Sequence, residues 1–192
     1  MLKVGDKLPA FSLPGDDGRT VSSRDFANER LVVYFYPKDS TPGCTREGQA
    51  FSKLLPEFRK AGVHVLGVSK DSVESHGNFR AKYALTVPLL SDADLSLHKA
   101  FGAYGDKVMY GKKVTGVLRS TFVFAHGKAT KVYPSVKVDG HAEAVLAFVR
   151  GDAPAKEPAA AKKTAAAKKT AAVKKPVAAK KTAAPKKGAR AR

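Results

Sequence analysis

The chain contains one cysteine, no tryptophan and no apolar run long enough to cross a membrane. With Cys44 as the single thiol, no intramolecular disulfide can form and no Cys-x-x-Cys redox pair exists. The N-terminal residues also lack the apolar segment of a secretory signal peptide. We therefore expect a cytoplasmic protein whose thiol is kept reduced, and leave open peripheral membrane attachment through basic residues.

Motifs for metal and nucleotide chemistry are missing as well. The five histidines show no paired spacing with one another or with the cysteine that predicts a metal site, and we interpret them as residues at the edge of the core or in solvent: His64, His76, His98, His126 and His141. Neither a Gly-x-x-x-x-Gly-Lys loop nor a Gly-x-Ser-x-Gly elbow occurs. We expect no metal and no cofactor, since a thiolate can itself carry the electrons.

Cys44 lies between a predicted core strand and a predicted helix. Residues 31–36 are β-branched, aromatic or leucine, and Pro37 closes the run. After the cysteine, apolar residues follow a helical period at Ala50, Leu54, Leu55 and Phe58. Unpaired N–H groups and the positive end of the helix dipole favour an anion at that helix start, so we expect a thiolate nucleophile. The alternative is an inert buried cysteine, which is the more common role of a lone cysteine.

A thiolate by itself does not explain fast chemistry. Full ionisation at neutral pH raises the thiolate fraction about thirty-fold, but the lower basicity costs roughly ten- to eighteen-fold in nucleophilicity. The net gain is only a few-fold, so further groups must stabilise the transition state.

The residues around the cysteine resemble a known active-site signature. Pro37-x-x-x-Thr41-x-x-Cys44 is similar to the signature of peroxiredoxins, thiol peroxidases that reduce hydrogen peroxide and organic hydroperoxides. The wider run of residues 36–45, with residues 65–72 downstream, resembles the bacterioferritin comigratory protein subgroup, also called peroxiredoxin Q. The resemblance covers about residues 3 to 150.

The resemblance implies a role for each of five residues. Cys44 would attack the terminal peroxide oxygen and become a sulfenic acid, and Thr41 would hydrogen-bond the thiolate and the peroxide. Arg119 would hold both with its guanidinium fork, Glu47 would orient that arginine, and Pro37 would shield the sulfur. Taken singly, the threonine could be an ordinary turn hydroxyl and the arginine a solvated residue at a strand edge.

The chain departs from the subgroup at Gln49. Many members have a resolving cysteine at this position, five residues after the first, whereas Cys44 has no second cysteine to pair with. The resemblance therefore implies that an external thiol resolves the sulfenic acid: thioredoxin, glutaredoxin or a small thiol such as glutathione. A transient dimer disulfide is the alternative, and we expect a monomer or a weak dimer.

Sequence patterns predict further strands and helices along residues 1–150. Residues 63–68 read as a strand, and Ser72 as the N-cap of a following helix. Residues 121–125 and 131–133 predict a hairpin. Strands that alternate with helices indicate an α/β fold with a central sheet covered on both faces. The resemblance implies that this is a thioredoxin-like fold with a mixed sheet.

Two local predictions concern the second half of the domain. A final helix is expected over residues 140–149, with Asp139 as its cap. The stretch 104–116, rich in glycine and lysine, is expected to be a surface connection, with a loop that shapes substrate access as the alternative.

Composition changes abruptly after Arg150. Residues 151–192 hold eleven lysines and two arginines against one aspartate and one glutamate, so this tail carries +11 of the total charge of +18. It has no aromatic residue and cannot bury enough apolar surface to fold alone. Its lysine pairs recur every six residues: Lys162, Lys163, Lys168, Lys169, Lys174, Lys175, Lys180, Lys181, Lys186 and Lys187.

This spacing does not produce an amphipathic helix. Six residues advance an α-helix by a net of about 240°, so successive pairs would point to three different faces. The composition resembles the tails of linker histones and bacterial histone-like proteins. We expect non-specific binding of DNA or RNA by the ten paired lysines, which would place the protein at the nucleoid. The plain alternative is a solvated tail.

Two other functions remain open at this point. The chain could be a nucleic-acid-binding protein with an inactive thiol domain, or a peroxide sensor that passes its oxidised Cys44 to a defined partner. The joint occurrence of the Pro-Thr-Cys spacing with Arg119 favours the peroxidase.

Overall fold

The computed structural model describes residues 1–109 and 111–151. The predicted tail of residues 151–192 lies outside this part of the chain except for Gly151. All ten paired lysines of the tail therefore lie outside the described residues.

Nine strands, four α-helices and one short 3-10 helix make up the described chain. In chain order they are β1 (Ser12–Pro14), β2 (Thr20–Ser22), the 3-10 helix (Ser23–Phe26), β3 (Arg30–Phe35), α1 (Pro42–Lys60), β4 (Val63–Ser69), α2 (Val73–Tyr83), β5 (Leu89–Ser91), α3 (Ser96–Phe101), β6 (Tyr104–Met109), β7 (Lys112–Val117), β8 (Ser120–Ala125), β9 (Lys128–Tyr133) and α4 (His141–Arg150). The predicted strands at 31–36 and 63–68 are confirmed as β3 and β4.

A five-stranded mixed sheet organises the fold, with strand order β5-β4-β3-β8-β9. β3, β4 and β5 run parallel, whereas β8 and β9 are antiparallel to their neighbours. The predicted hairpin is confirmed as β8–β9. Its turn is only His126-Gly127, both at positive φ, and Lys128 already belongs to β9.

Both faces of the sheet are covered, as expected. Along β3, Val32 and Tyr34 point to one face, while Val33 and Phe35 point to the other. The first face packs against α1, α2 and α4 through Phe51, Leu55, Phe58, Phe79, Val145 and Leu146. The second packs against the N-terminal segment, the 3-10 helix and α3 through Phe11, Leu13, Phe26, Leu97 and Phe101. Each fully buried side chain of this kind stabilises the fold by about 1.5–3 kcal/mol.

The start of α1 follows directly from its sequence. Thr41 is the N-cap with extended backbone, and Pro42 is the first helical residue, where its missing N–H costs nothing. The N-cap predicted for α2 is confirmed, since Ser72 Oγ accepts from the N–H of Ser75 at 3.2 Å. Within the described residues, no helix has both the length and the apolar character needed to span a bilayer.

The structure corrects two predictions. Asp139 does not cap α4, because Gly140 occupies that position at φ 76° and Asp139 instead accepts a hydrogen bond from Arg46 at 3.1 Å. The stretch 104–116 is not a plain connection, since β6 and β7 pair across it as an antiparallel hairpin. A strand prediction depends on an alternation of apolar and polar residues, and the glycines and lysines of this stretch interrupt that alternation.

Candidate active site

Cys44 is the third residue of α1, in the first helical turn. Its side chain is buried, with 2% exposure. The backbone N–H groups of Gly43 and Cys44 have no partner within the helix, because the first intrahelical bond runs from Thr45 N to Thr41 O at 2.9 Å. The sulfur thus sits where the helix favours negative charge, as the sequence predicted.

Arg119 reaches this sulfur from the junction of β7 and β8. Its Nη2 donates to Cys44 Sγ at 3.2 Å, and its Nη1 donates to Glu47 Oε2. The guanidinium packs close to Gly43, where a Cβ would lie in ordinary van der Waals contact with Nη2 at 3.4 Å. One cation therefore bridges the sulfur and a carboxyl group that are one helical turn apart.

Burial and charge act in opposite directions on this cluster. Burial lowers the pKa of Arg119, but the nearby Glu47 and Cys44 outweigh burial and raise it above its usual value. For Glu47, burial is the stronger effect and raises its pKa to about 7, although Arg119 lowers it. The Oε1 atom of Glu47 is buried and has no hydrogen-bond partner among the described residues.

The other two predicted site residues lie on the loop between β3 and α1. Pro37 is half-buried and begins this loop. The hydroxyl of Thr41 donates to the carbonyl of Lys38 at 3.0 Å. The structure thus brings Cys44, Arg119 and Glu47 together, with Arg119 in contact with the other two. The Thr41 hydroxyl does not join them, because it donates to the loop backbone.

Sequence reasoning missed a buried polar network that holds this loop. The carboxylate of Asp39 accepts from the hydroxyl of Tyr36 at 2.8 Å, from His76 Nδ1 at 2.8 Å and from the hydroxyl of Ser75 at 2.7 Å. Burial raises the pKa of Asp39, but these hydrogen bonds outweigh it and keep the pKa below its usual value. The network ties the loop to α2.

No sequence signal could have identified this network. His76 is 37 residues from Asp39, and the two meet only because α2 packs beside the end of β3. A second long-range bond comes from Asp71, whose Oδ2 accepts from the N–H of Asp39 at 2.9 Å. The next residue, Ser40, has a left-handed backbone with φ 57°, just before α1 begins.

The histidine prediction needs correction for three of the five residues. His64 and His126 are exposed as expected, but His76 and His98 are fully buried. His98 Nδ1 lies 2.6 Å from the carboxylate of Asp92, so one of its two ring nitrogens is hydrogen-bonded, whereas Nε2 has no partner among the described residues. Isolated histidines carry no sequence pattern that reveals such partners. The third, His141, is 7% exposed and is also buried.

His141 begins α4 and is buried beside the cluster. It shares a 2.8 Å hydrogen bond between Nε2 and the hydroxyl of Thr121, and its ring contacts Phe51 and Tyr133. Burial, together with the positive charge of Arg119, lowers the pKa of His141 to about 4. The imidazole is therefore neutral at pH 7.

Together, these features define a class of protein. A mixed sheet between two layers of helices presents one cysteine at a helix N-terminus, and an arginine donates to its sulfur. A thiolate beside a fixed guanidinium can attack a polarised O–O bond while the cation stabilises the charge that develops. Fold and site are those of a cysteine-dependent peroxidase.

Comparison with known proteins identifies the family. Residues 4–131 match the model of the AhpC/TSA family. The chain is 51% identical over 152 residues to Peroxiredoxin Bcp of Xanthomonas campestris pv. campestris, which covers 77% of this chain and 95% of that protein. The chain therefore belongs to the AhpC/TSA family, and it is a peroxiredoxin, a thiol-dependent peroxidase.

Solved structures agree with this assignment. A structure of Xanthomonas campestris Peroxiredoxin Q matches with a TM-score of 0.70 at 51% identity, over 73% of this chain and 90% of that chain. A second, of Xanthomonas campestris bacterioferritin comigratory protein, matches with a TM-score of 0.71 at 47% identity, over 76% of this chain and 98% of that chain, and is described for its alkyl peroxide reduction activity. The predicted subgroup and the predicted thioredoxin-like fold are confirmed.

Proposed function

We propose that Cys44 reduces hydrogen peroxide and organic hydroperoxides by direct attack. The thiolate forms an S–O bond with the terminal peroxide oxygen, the O–O bond breaks, and the departing oxygen leaves with the electron pair and takes up a proton. The sulfur becomes a sulfenic acid and the peroxide becomes water or an alcohol. The observation that carries the proposal is the 3.2 Å hydrogen bond from Arg119 Nη2 to Cys44 Sγ.

Four further residues would serve this step. Arg119 stabilises the thiolate and the charge on the peroxide oxygens, and Glu47 fixes its orientation through Nη1. Pro37 shields the sulfur from solvent. For Thr41 to donate to the thiolate or the peroxide, its hydroxyl must turn away from the carbonyl of Lys38.

Two observations, one on a relative and one on the site, support organic hydroperoxides as substrates. The bacterioferritin comigratory protein of Xanthomonas campestris is described for alkyl peroxide reduction, and it is 47% identical to this chain. The sulfur attacks the terminal oxygen, so the organic group of the substrate can point away from the buried thiol.

We also propose that an external thiol resolves the sulfenic acid. Cys44 is the single cysteine, and Gln49 is an exposed residue of α1 that cannot take part in thiol chemistry. The incoming thiol forms a mixed disulfide with Cys44 and water leaves. A second thiol then attacks that disulfide and releases Cys44. Because Cys44 is 2% exposed, a disulfide between two copies is disfavoured relative to one with a small or flexible external thiol. The proposed oligomeric state is a monomer or a weak dimer.

The decisive experiment compares the wild-type protein with Cys44→Ser. Peroxide consumption is followed with thioredoxin, glutaredoxin and glutathione, each supplied with its own reducing system. We expect steady turnover with at least one thiol and none for the variant. Mass spectrometry after peroxide and glutathione should show a mixed disulfide on the tryptic peptide of Cys44. Peroxide consumption that survives the Cys44→Ser change would overturn the proposal.

Two outcomes would favour the other functions. A nucleic-acid-binding protein with an inactive thiol domain would show no turnover with any reductant. A peroxide sensor would accumulate oxidised Cys44 under general reductants and lose it only to one defined partner. The contact of Arg119 with the sulfur supports catalysis over both.

For the tail we propose non-specific binding to nucleic acid. Residues 1–150 would form the peroxidase domain, and residues 151–192 a basic segment with a net charge of +11. The paired lysines suit contact with phosphates, and the absence of aromatic residues gives no means of stacking on bases. The tail would hold the peroxidase close to DNA or RNA, at the nucleoid of a bacterial cytoplasm.

A further inference from the structure

Glu47 has one carboxyl oxygen that finds no hydrogen-bond partner in the described part of the chain. Its side chain is 1% exposed, Oε2 accepts from Arg119, and Oε1 is buried with no hydrogen bond among the described residues. An ionised carboxylate normally requires donors on both oxygens when it is buried. The environment of Glu47 therefore suits a neutral carboxyl group better than a carboxylate.

The charges around Glu47 lead to the same result. Arg119 approaches from the β7–β8 junction and Cys44 from the previous turn of α1. Tyr34 faces the cluster from β3, and burial followed by the charges of Glu47 and Cys44 raises its pKa well above the usual value, so it is neutral. His141 on α4 is neutral as well at pH 7. The guanidinium can compensate either the thiolate or the carboxylate, but not both.

We propose that Cys44 and Glu47 share a single proton, and that Glu47 delivers it to the departing oxygen of the peroxide. In the resting enzyme the sulfur is ionised, Arg119 is positive and Glu47 is neutral. This proposal rests on the proposed function, because it assigns the source of the proton that peroxide reduction consumes.

The step balances in atoms and in charge. A lone pair of the sulfur forms the S–O bond, the O–O bond breaks, and the departing oxygen takes the proton of Glu47. The products are sulfenic acid, alcohol and a Glu47 carboxylate held by Arg119. The net charge of the three groups is zero before and after the step, so the buried cluster never holds an uncompensated charge. When a second thiol later releases Cys44 as a thiolate, the proton of that thiol returns to Glu47.

The acidity of Glu47 matches this task. Burial raises its pKa to about 7 against the effect of Arg119. A general acid works best when its pKa lies near the working pH, because it is then both protonated and able to give up the proton.

If Glu47 served only to orient Arg119, its replacement would change the rates of three test reactions in a different way. Alkylation of Cys44 by iodoacetamide needs the thiolate but no proton for the iodide that leaves. Reaction with peracetic acid expels acetate, a weak base, whereas tert-butyl hydroperoxide expels a strongly basic alkoxide. A general acid matters only for the reaction with tert-butyl hydroperoxide, whereas a misplaced Arg119 would slow all three reactions.

The experiment measures these three rates in the full chain for wild type, Glu47→Gln and Glu47→Asp. For Glu47→Gln we expect iodoacetamide and peracetic acid rates within about three-fold of wild type, and a tert-butyl hydroperoxide rate lower by about 10² or more. Glu47→Asp should recover part of that loss, since it retains an acid. Glu57→Gln is the matched control: this glutamate of the same helix is half-buried and pairs with Lys60 and Arg150 instead of Arg119, so its replacement should leave all three rates unchanged.

Equal losses in the three reactions, or no loss in any, would overturn the proton-sharing proposal. Inactivity of the wild-type protein toward every peroxide would instead refute the proposed function. The wild type also provides a test that needs no variant. Above about pH 7 the tert-butyl hydroperoxide rate, divided by the iodoacetamide rate, should fall by about ten-fold per pH unit as Glu47 loses its proton. A ratio that stays constant between about pH 6 and 9 would contradict the proposal.

Discussion

The Nη2 atom of Arg119 lies 3.2 Å from the Sγ atom of Cys44, although 75 positions separate them in the chain. The sheet explains this contact. β3 and β8 are antiparallel neighbours with Phe35 opposite Ser120, so the loop that follows β3 and the residue that precedes β8 lie at the same edge. Cys44 and Arg119 are thus positioned by one strand pair.

Replacement of Arg119 by lysine should impair the enzyme strongly. A single ammonium cannot donate to Cys44 and Glu47 with the fixed spacing of a guanidinium. We expect kcat/KM for hydrogen peroxide to fall by about 10²–10³, which is the usual loss when one transition-state donor is removed. Alkylation by iodoacetamide should slow as well, because the thiolate loses its partner. Arg46→Lys, the same change at an exposed residue of α1, serves as control, and equal rates for both variants would contradict the prediction.

Gly67→Ala should destabilise the domain. A Cβ at this position of β4 would come within 2.7 Å of both Tyr34 and Leu89. The ring of Tyr34 cannot yield easily, because it stacks on Phe51 at 4.6 Å between ring centroids. We expect a loss of about 1–3 kcal/mol in the free energy of unfolding, measured by urea titration.

Gly77→Ala gives the matched comparison for this change. Gly77 lies in α2, and a Cβ there meets no atom within 4 Å. Alanine should therefore be neutral or stabilise by about 0.5–1 kcal/mol, since it is the better helix former. The same loss for both alanine variants would show that the contact with Tyr34 is not the cause.

His141 should make stability depend on pH in the acidic range. Burial, followed by the charge of Arg119, lowers its pKa to about 4, so the unfolded chain binds the proton first as pH falls below the ordinary histidine value. The folded state therefore loses stability between about pH 6.5 and 4, by on the order of 3 kcal/mol from this group. Stability should remain independent of this group above that window.

The measurement compares urea titrations at several pH values for wild type and His141→Asn. The difference in unfolding free energy between them should shift in favour of the variant as pH falls through the window. His126→Asn changes an exposed histidine in the β8–β9 turn and should leave the pH dependence unchanged. Parallel curves for wild type and His141→Asn would refute the prediction.

The tail should account for binding to nucleic acid. If about six of its lysines contact duplex DNA, the logarithm of affinity should fall against the logarithm of salt concentration with a slope of roughly −5. Replacement of the ten paired lysines by glutamine should abolish this binding, while peroxide turnover stays near the wild-type rate. Full DNA affinity after that replacement, measured by fluorescence anisotropy, would rule out the tail as the binding segment.

Local sequence determined much of the site. The apolar run that forms β3, the proline and threonine at the start of α1, and the helical spacing after Cys44 act between residues close in the chain. They place the thiol at a helix N-terminus before any tertiary contact is considered. Charge and composition likewise separate residues 151–192 from the rest of the chain.

Tertiary structure decided which groups surround the sulfur. The contact of Arg119 with Cys44, the bond of His76 to Asp39 and the burial of Glu47 beside Arg119 all depend on elements that meet only when the sheet is assembled. Spacing along the chain carries no record of such contacts, because burial and charge compensation are properties of three-dimensional neighbours. Sequence patterns therefore located the thiol at a helix start, whereas packing determined its charge environment.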